Sequence, residues 1–218
     1  MPDFQRSYPF SRIIALGLAL LMLLPLLGDT RSWAQEKASE KITVPKGPLD
    51  ALTAILTRRS IRDYTPRRVP EELVKVLLAA GLSAPSAFNE RSTEFVVVND
   101  PKVLKEIAQV NPNSKQLKKM TVAIVVCGNQ DKEKRKGEGY WQLDSAVASE
   151  NILIAAHALG LGAVWTAIYP YPERIPKVQK ILNLPAQVIP LNIIPIGYPA
   201  EKKMPHQFDP SRAHYNRW

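Results

Sequence analysis

The sequence predicts an α+β fold, with helices layered on one small, mixed central sheet. Five segments read as helices and four shorter runs as strands. One helical segment, residues 140–159, is long and unusually rich in alanine. No internal repeat or low-complexity tract interrupts the chain, and 218 residues suit one domain with appendages.

The first helix opens at Pro48 and carries Leu49, Leu52, Ile55 and Leu56 on one face. The second opens at Pro70-Glu71-Glu72, with proline and acids in its first turn. Its apolar face is Leu73, Val76, Leu77 and Ala80, and Gly81 is expected to end it. A loop over 83–93 leads to a buried strand at 94–99, and Asp100-Pro101 starts a short helix. Residues 122–127 form a second strand. The long helix 140–159 closes at Gly160, a helix stop. A third strand at 163–168, a helix at 173–182 and a fourth strand at 188–196 follow. Pro190 and Pro195 fall inside that last strand, where proline supplies no ladder donor, so an edge position or a bulge is expected.

Residues 1–34 are expected to be an export signal. Arg6 and Arg12 precede the apolar run 13–27, and Ser32-Trp33-Ala34 offers small residues for cleavage. The run has fifteen residues, short of the roughly 20 of a membrane span. A cleaved signal is therefore preferred to a membrane anchor, which stays the alternative. No cysteine follows the run for lipidation, and the early arginines are not paired as in a twin-arginine signal. Residues 35–47 read as a polar tether and 48–218 as the folded domain. The expected location is periplasmic or otherwise outside the cytoplasm.

The chain carries 29 basic and 20 acidic residues; without residues 1–34 the balance is 26 against 18, net +8. Such a charge suits an anionic cofactor, an anionic membrane or nucleic acid. Lysines are scattered except in Lys132-Glu133-Lys134-Arg135-Lys136, which reads as a solvated loop. No aromatic interleaving or nucleic-acid motif accompanies it, so nucleic acid is not an expected partner. Cys127, the single cysteine, lies in an apolar run and reads as a small buried hydrophobe.

Much familiar chemistry is absent. There is no Gly-x-x-x-x-Gly-Lys-Ser/Thr loop, no Gly-x-Gly-x-x-Gly turn and no Gly-x-Ser-x-Gly elbow. His157, His206 and His214 form no His-x-x-x-His pair, and one cysteine cannot build a zinc site. Asp144 and Glu150 sit six apart, off the same-face spacing of a helix. A chain so poor in reactive side chains is a binder, or an enzyme whose cofactor carries the chemistry.

Arg58-Arg59-Ser60-Ile61-Arg62-Asp63-Tyr64 places three arginines and a hydroxyl within five residues, between the first helical pattern and Pro66. The guanidinium fork matches phosphate oxygens. Cations at a helix C-terminus also simply complement the macrodipole, and the run alone does not separate the two readings. Three further segments follow in order. Ser83-Ala84-Pro85-Ser86-Ala87-Phe88-Asn89 leaves a helix. Asp144 and Asn151 precede His157-Ala158-Leu159-Gly160-Leu161-Gly162-Ala163-Val164-Trp165. Ile193-Ile194-Pro195-Ile196-Gly197-Tyr198-Pro199-Ala200-Glu201-Lys202 then runs towards a C-terminal His214-Tyr215-Asn216-Arg217-Trp218.

In this order the four segments resemble the nitroreductase family of FMN-dependent oxidoreductases, over roughly residues 48–218. The resemblance implies a homodimer of domain-swapped type with each flavin between subunits. It implies ping-pong transfer: NAD(P)H gives hydride to flavin N5, and a nitroaromatic, quinone or similar small acceptor takes the electrons. It places Arg58, Arg59, Ser60 and Arg62 on the phosphate, with Arg59 ranked last. It sets Pro85, Ser86, Ala87 and Asn89 against the ring and ribityl. Backbone amides within Val164, Trp165, Thr166 and Ala167 face the ring edge, those of Thr166 and Ala167 near N5. Gly197 allows close backbone approach. No side chain is expected to act as catalytic acid or base, and no metal is expected. Tyr140 and Trp141 line the substrate pocket or pack at the helix start. Two departures stand out. Arg91-Ser92-Thr93 replaces a common Gln-Pro-Trp, so Arg91 reaches the flavin, an anionic substrate or solvent. Pro205-His206-Gln207-Phe208 replaces a basic pair, leaving His206, Lys202 or Lys203 as substitutes at the phosphate. Alternatives within and beyond the family are reductive dehalogenation, dehydrogenation of a bound substrate, or a non-enzymatic flavin carrier.

Overall fold

The computed structural model describes residue 47 and residues 49–218. The expected export signal and most of the tether lie outside the described residues. Helices α1 (Ala51–Thr57) and α2 (Glu71–Leu82) come first, then strand β1 (Thr93–Val98) and helix α3 (Pro101–Val110). Strand β2 (Val122–Asn129), the long α4 (Tyr140–Ala158), and short strands β3 (Gly162–Ala163) and β4 (Thr166–Ala167) follow. Helix α5 (Ile175–Leu182) and strand β5 (Val188–Gly197) complete the set. A 3-10 segment, Pro112–Lys119, links α3 to β2.

The sheet runs β1-β2-β5-β3, with β4 also on β5, and every strand pair is antiparallel. Among the described residues parallel pairing is confined to one bridge, Ser60 to Ala163. Strand β2 is buried on both faces, which is why its sequence reads as an unbroken apolar run. Ala123, Val125 and Cys127 join one core cluster with Leu104 and Ile107 of α3 and Val178 of α5. Val122, Ile124 and Val126 join the other with Leu77 of α2 and Ile152 of α4. This is the two-residue alternation of a strand. Burial, with Glu94 nearby, pushes the Cys127 thiol up to about 12, so it is an inert packing group.

Strand β5 is central, not an edge, although it holds both prolines. The expected bulge is present: the register shifts between Val126 opposite Asn192 and Cys127 opposite Pro190, leaving Leu191 as the extra residue. The Leu191 carbonyl is not wasted, because Ile168 N–H and Tyr169 N–H both donate to it. Pro195 explains why the expected strand 163–168 is split. β3 and β4 share one register on β5, and its continuation puts Val164 opposite Pro195. A residue without an N–H cannot complete that rung, so Val164 and Trp165 drop out of the ladder.

Two helices differ from expectation. Leu52, Ile55 and Leu56 of α1 do share a face, but it is exposed, at 71%, 52% and 69%. Ala54 is the buried residue, because α1 lies on α4 through its small side chain. Gly81 does not end α2; the helix runs through it to Leu82. A Cβ at Gly81 would come within 2.8 Å of Phe95 and 3.1 Å of Ile152, so this glycine lets α2 pack closely against β1 and α4.

Gly128 plays the same part for Trp141, whose buried ring lies where a Cβ would stand, 2.2 Å from Cε3. Trp141 also meets Tyr169 edge to face at 5.2 Å. Gly128→Ala is expected to lower stability by about 1–3 kcal/mol, the usual penalty of overpacking. Chemical denaturation reads this directly, and an unchanged midpoint would show that the Trp141 ring moves aside freely.

Candidate functional site

The arginine segment leaves α1 in extended conformation, with Arg58 at φ −54°, ψ 135°. It is pinned on both sides. Ile61 N–H donates to Ala163 O at 3.0 Å, beside the Ser60–Ala163 bridge. Thr65 N–H donates to Tyr198 O, Ala200 N–H to Asp63 O, and Tyr64 bridges Pro199. The Glu201 carboxylate accepts the backbone N–H groups of Arg62 and Asp63. Those bonds, chiefly that from Arg62, hold its pKa below the ordinary carboxylate value, with Lys203 assisting.

The four candidate phosphate ligands are engaged unequally. Arg58 Nε pairs with Glu150 at 3.0 Å. Arg59 donates from Nε to Met204 O and from Nη1 to Arg58 O, each at 2.6 Å. Its Nη2 is buried with no partner. Ser60 accepts on its carbonyl from Lys203 Nζ at 2.7 Å, and Lys203 also pairs with Glu201 at 3.2 Å. The exposed Arg62 side chain has no ion-pair or hydrogen-bond partner among the described residues. Lys202 and His206 are exposed, and among the described residues neither makes a hydrogen bond or ion pair to these groups. Gly197 is packed against Tyr64 and Met120, each 2.9 Å from where its Cβ would stand.

Arg62 and the four residues Val164, Trp165, Thr166 and Ala167 line one cavity of about 610 Å³. Polar side chains that the sequence reading did not single out join them, among them Asn111, Asn113, Lys115, Gln116 and Arg174. Asn111 Nδ2 donates to Ala167 O at 2.8 Å, and Arg174 Nη1 to the same oxygen at 3.1 Å. Gln116 Nε2 reaches Thr166 Oγ1 at 3.5 Å. The one signal available was polar residues crowded between a short helix and a strand, which also fits a plain turn.

Pro85, Ser86 and Asn89 line a different cavity, of about 570 Å³, with Arg91 and Asp144. The two cavities share no lining residue. Buried Asp144 holds this loop, accepting from Ala87 N–H at 2.9 Å and Ser92 Oγ at 3.2 Å. Phe88, Asn89 and Arg91 all have positive φ, 51°, 55° and 53°. Such backbone costs of order 1–3 kcal/mol per residue and clusters at functional sites. Arg91 turns inward on the loop, its N–H to Ser86 Oγ at 3.0 Å and its Nε to Asn89 Oδ1 at 3.1 Å. Tyr140 meets the Phe88 ring edge to face at 5.5 Å, whereas Trp141 is 3% exposed and belongs to the core. Among the described residues no cluster of His, Cys, Asp and Glu could hold a metal ion.

Comparison with known proteins agrees with this arrangement. The nitroreductase family profile matches residues 55–115 and 109–198. A Methanothermobacter thermautotrophicus protein named for NADH dehydrogenase/NAD(P)H nitroreductase is 46% identical over 171 residues, 78% of this chain and 88% of that protein. A solved Parabacteroides distasonis protein of the same name is 44% identical, with a TM-score of 0.73 over 77% of this chain and 98% of the other. A Desulfovibrio desulfuricans protein named as a nitroreductase, solved in complex with FMN, is 28% identical with a TM-score of 0.66, covering 78% of this chain and 98% of the other. With this match across its sheet and both pinned segments, the chain belongs to the nitroreductase family.

Proposed function

We propose that this protein is an exported, FMN-dependent NAD(P)H oxidoreductase that passes reducing equivalents to a small acceptor such as a nitroaromatic or a quinone. The observation that carries the reading is the convergence of Arg62 and the Val164–Ala167 backbone on one cavity. Its volume of about 610 Å³ falls within the usual range for cofactor sites, roughly 300–1,000 Å³. The donor set fits the cofactor: unpaired Arg62 suits a phosphate, while Asn111, Gln116 and Lys115 suit the polar edge of a ring. Support also comes from the FMN complex of the Desulfovibrio desulfuricans neighbour and the NAD(P)H-dependent name of the Methanothermobacter thermautotrophicus relative.

When bound, FMN supplies two-electron transfer in two half-reactions, so donor and acceptor use the site in turn. The chain's own residues bind and orient. Arg62 and the Ser60 hydroxyl would hold the anionic end, and the backbone of the split strand would present fixed dipoles to the ring. No side chain need move a proton in this reading.

We further infer a homodimer whose partner completes the site. The Pro85–Asn89 loop sits at its own cavity, apart from β4. Leu52 and Leu56 of α1, Leu143 of α4, and Phe208, Tyr215 and Trp218 of the tail are all exposed by more than 60%. A second copy covering these faces would set one protomer's loop over the other's β4 cavity.

Purified protein is expected to be yellow, to bleach with NADH or NADPH, and to recolour with a nitroaromatic or quinone. Arg62→Ala should weaken FMN binding by about 1.5–3 kcal/mol, the scale of a hydrogen bond to a charged group. Arg58→Ala should cost less, because Glu150 already offsets that charge. Equal FMN affinity in wild type and both variants would remove the phosphate assignment. Light scattering should give twice the chain mass, and a monomer that binds FMN fully would remove the shared site. Export predicts a mature N-terminus after Ala34; intact mass retaining residues 1–34 in a membrane fraction would favour the anchor instead.

A further inference from the structure

We propose that Arg174 is a positioning residue that raises the reduction potential of FMN at the β4 cavity, an inference that rests on the FMN reading above. Its Nη1 and Asn111 Nδ2 both donate to the Ala167 carbonyl, at 3.1 and 2.8 Å. The other end of that peptide group, Ile168 N–H, donates to Leu191 O at 3.0 Å. The peptide is therefore clamped at both ends. Successive amides of an antiparallel strand point to opposite edges. With Ile168 N–H turned towards β5, Ala167 N–H turns away from it, to the edge that lines the cavity.

Arg174 is itself held in place. Its guanidinium lies 3.7 Å from the centre of the Tyr171 ring and its Nε 3.4 Å from Glu173. The Arg174 side chain is only 13% exposed, against 57% for Glu173. Water screens the carboxylate, while the cation acts through the low-dielectric wall of the cavity. Two-electron reduction of a flavin with uptake of one proton adds one negative charge to the ring. A mostly buried cation at the wall would favour that charge, and the clamped strand would keep the Ala167 amide presented to the cavity.

The position also breaks a local rule. Arg174 is the N-cap residue of α5, the positive end of the helix dipole, where a cation is disfavoured. Nothing in helix formation accounts for an arginine there, whereas a cation facing the flavin does.

Dithionite titration of the FMN-loaded full chain against a reference dye tests the proposal, comparing wild type with Arg174→Gln and Arg174→Lys. The Gln variant should shift the two-electron reduction equilibrium against the reduced form by roughly tenfold, about 30 mV, with FMN affinity little changed. The Lys variant, which keeps the charge, should retain most of the wild-type potential. Should the Gln variant fail to fold, Arg174→Met is the second neutral replacement and carries the same expectation. A neutral variant with the wild-type potential overturns the proposal. So does an equal drop in the Lys variant, which would mark a packing role alone. Wild-type protein that takes up no FMN would sink the FMN reading itself, and this inference with it; yellow protein with an unmoved potential in the variants would sink only the role of Arg174.

Discussion

The seat of Ile61 against Gly162 is the constraint on which the rest of the site depends. A Cβ at Gly162 would lie 2.8 Å from Ile61 Cγ2, so only glycine lets the arginine segment lie flat on β3. Ile61 is then buried at 7% exposure, and its amide completes a bond to Ala163. In an extended segment side chains alternate. Seating Ile61 inward turns Arg58, Ser60 and Arg62 to one side and leaves Arg59 on the other. That alternation matches the bonding. Arg59 ties the chain to the tail through Met204, while Arg62 remains available to the cavity.

The prolines of β5 work with this seat. A central strand ordinarily excludes proline, yet Pro195 costs the sheet one rung in a place where a complete rung would be a handicap. The interruption at Val164 and Trp165 frees backbone on the edge beside Arg62, and the bulge at Leu191 anchors the strand again through Ile168 and Tyr169. The result is a short stretch of backbone held firmly at each end and unpaired between. Such fixed, unspent dipoles are what a redox cofactor can use without reorganisation.

Much of this was legible in the chain. The order of the four segments pointed to the family, and periodicity located α2, α4, β1, β2 and β5 to within a few residues. What escaped was the partner of each face. The spacing of Leu52, Ile55 and Leu56 reports amphipathicity, not whether the covering surface belongs to the same chain. Gly81 carries the residue type of a helix stop and serves instead as a contact between α2 and α4. The segments at 85–89 and 164–167 read as parts of one site, and the fold of a single chain sets them at separate cavities. Asn111 and Arg174 carried no motif, because they meet at the Ala167 carbonyl only when α3 and α5 pack on the same face of the sheet.

The altered tail can be weighed with the same geometry. Pro205-His206-Gln207-Phe208 offers no strong cation, and His206 stands exposed. Lys203 comes back to the arginine segment, but its charge is shared with Glu201, just as that of Arg58 is shared with Glu150. A dianionic phosphate arriving here, as proposed, would find Arg62 uncompensated and two cations already paired. Those pairs are solvated, with Arg58 and Glu150 side chains 25% and 45% exposed, and such pairs are worth about 0–1 kcal/mol. A hydrogen bond to a charged phosphate is worth about 1.5–3 kcal/mol. On the proposed phosphate reading the exchange would run towards the phosphate, with Glu150 keeping Arg58 ordered until then. Glu201 is different. It accepts from two backbone amides as well as Lys203, so releasing it would undo the segment that presents Arg62. On the proposed reading the tail would contribute to the anion site through backbone geometry more than through charge, and the arginine segment would carry the charge.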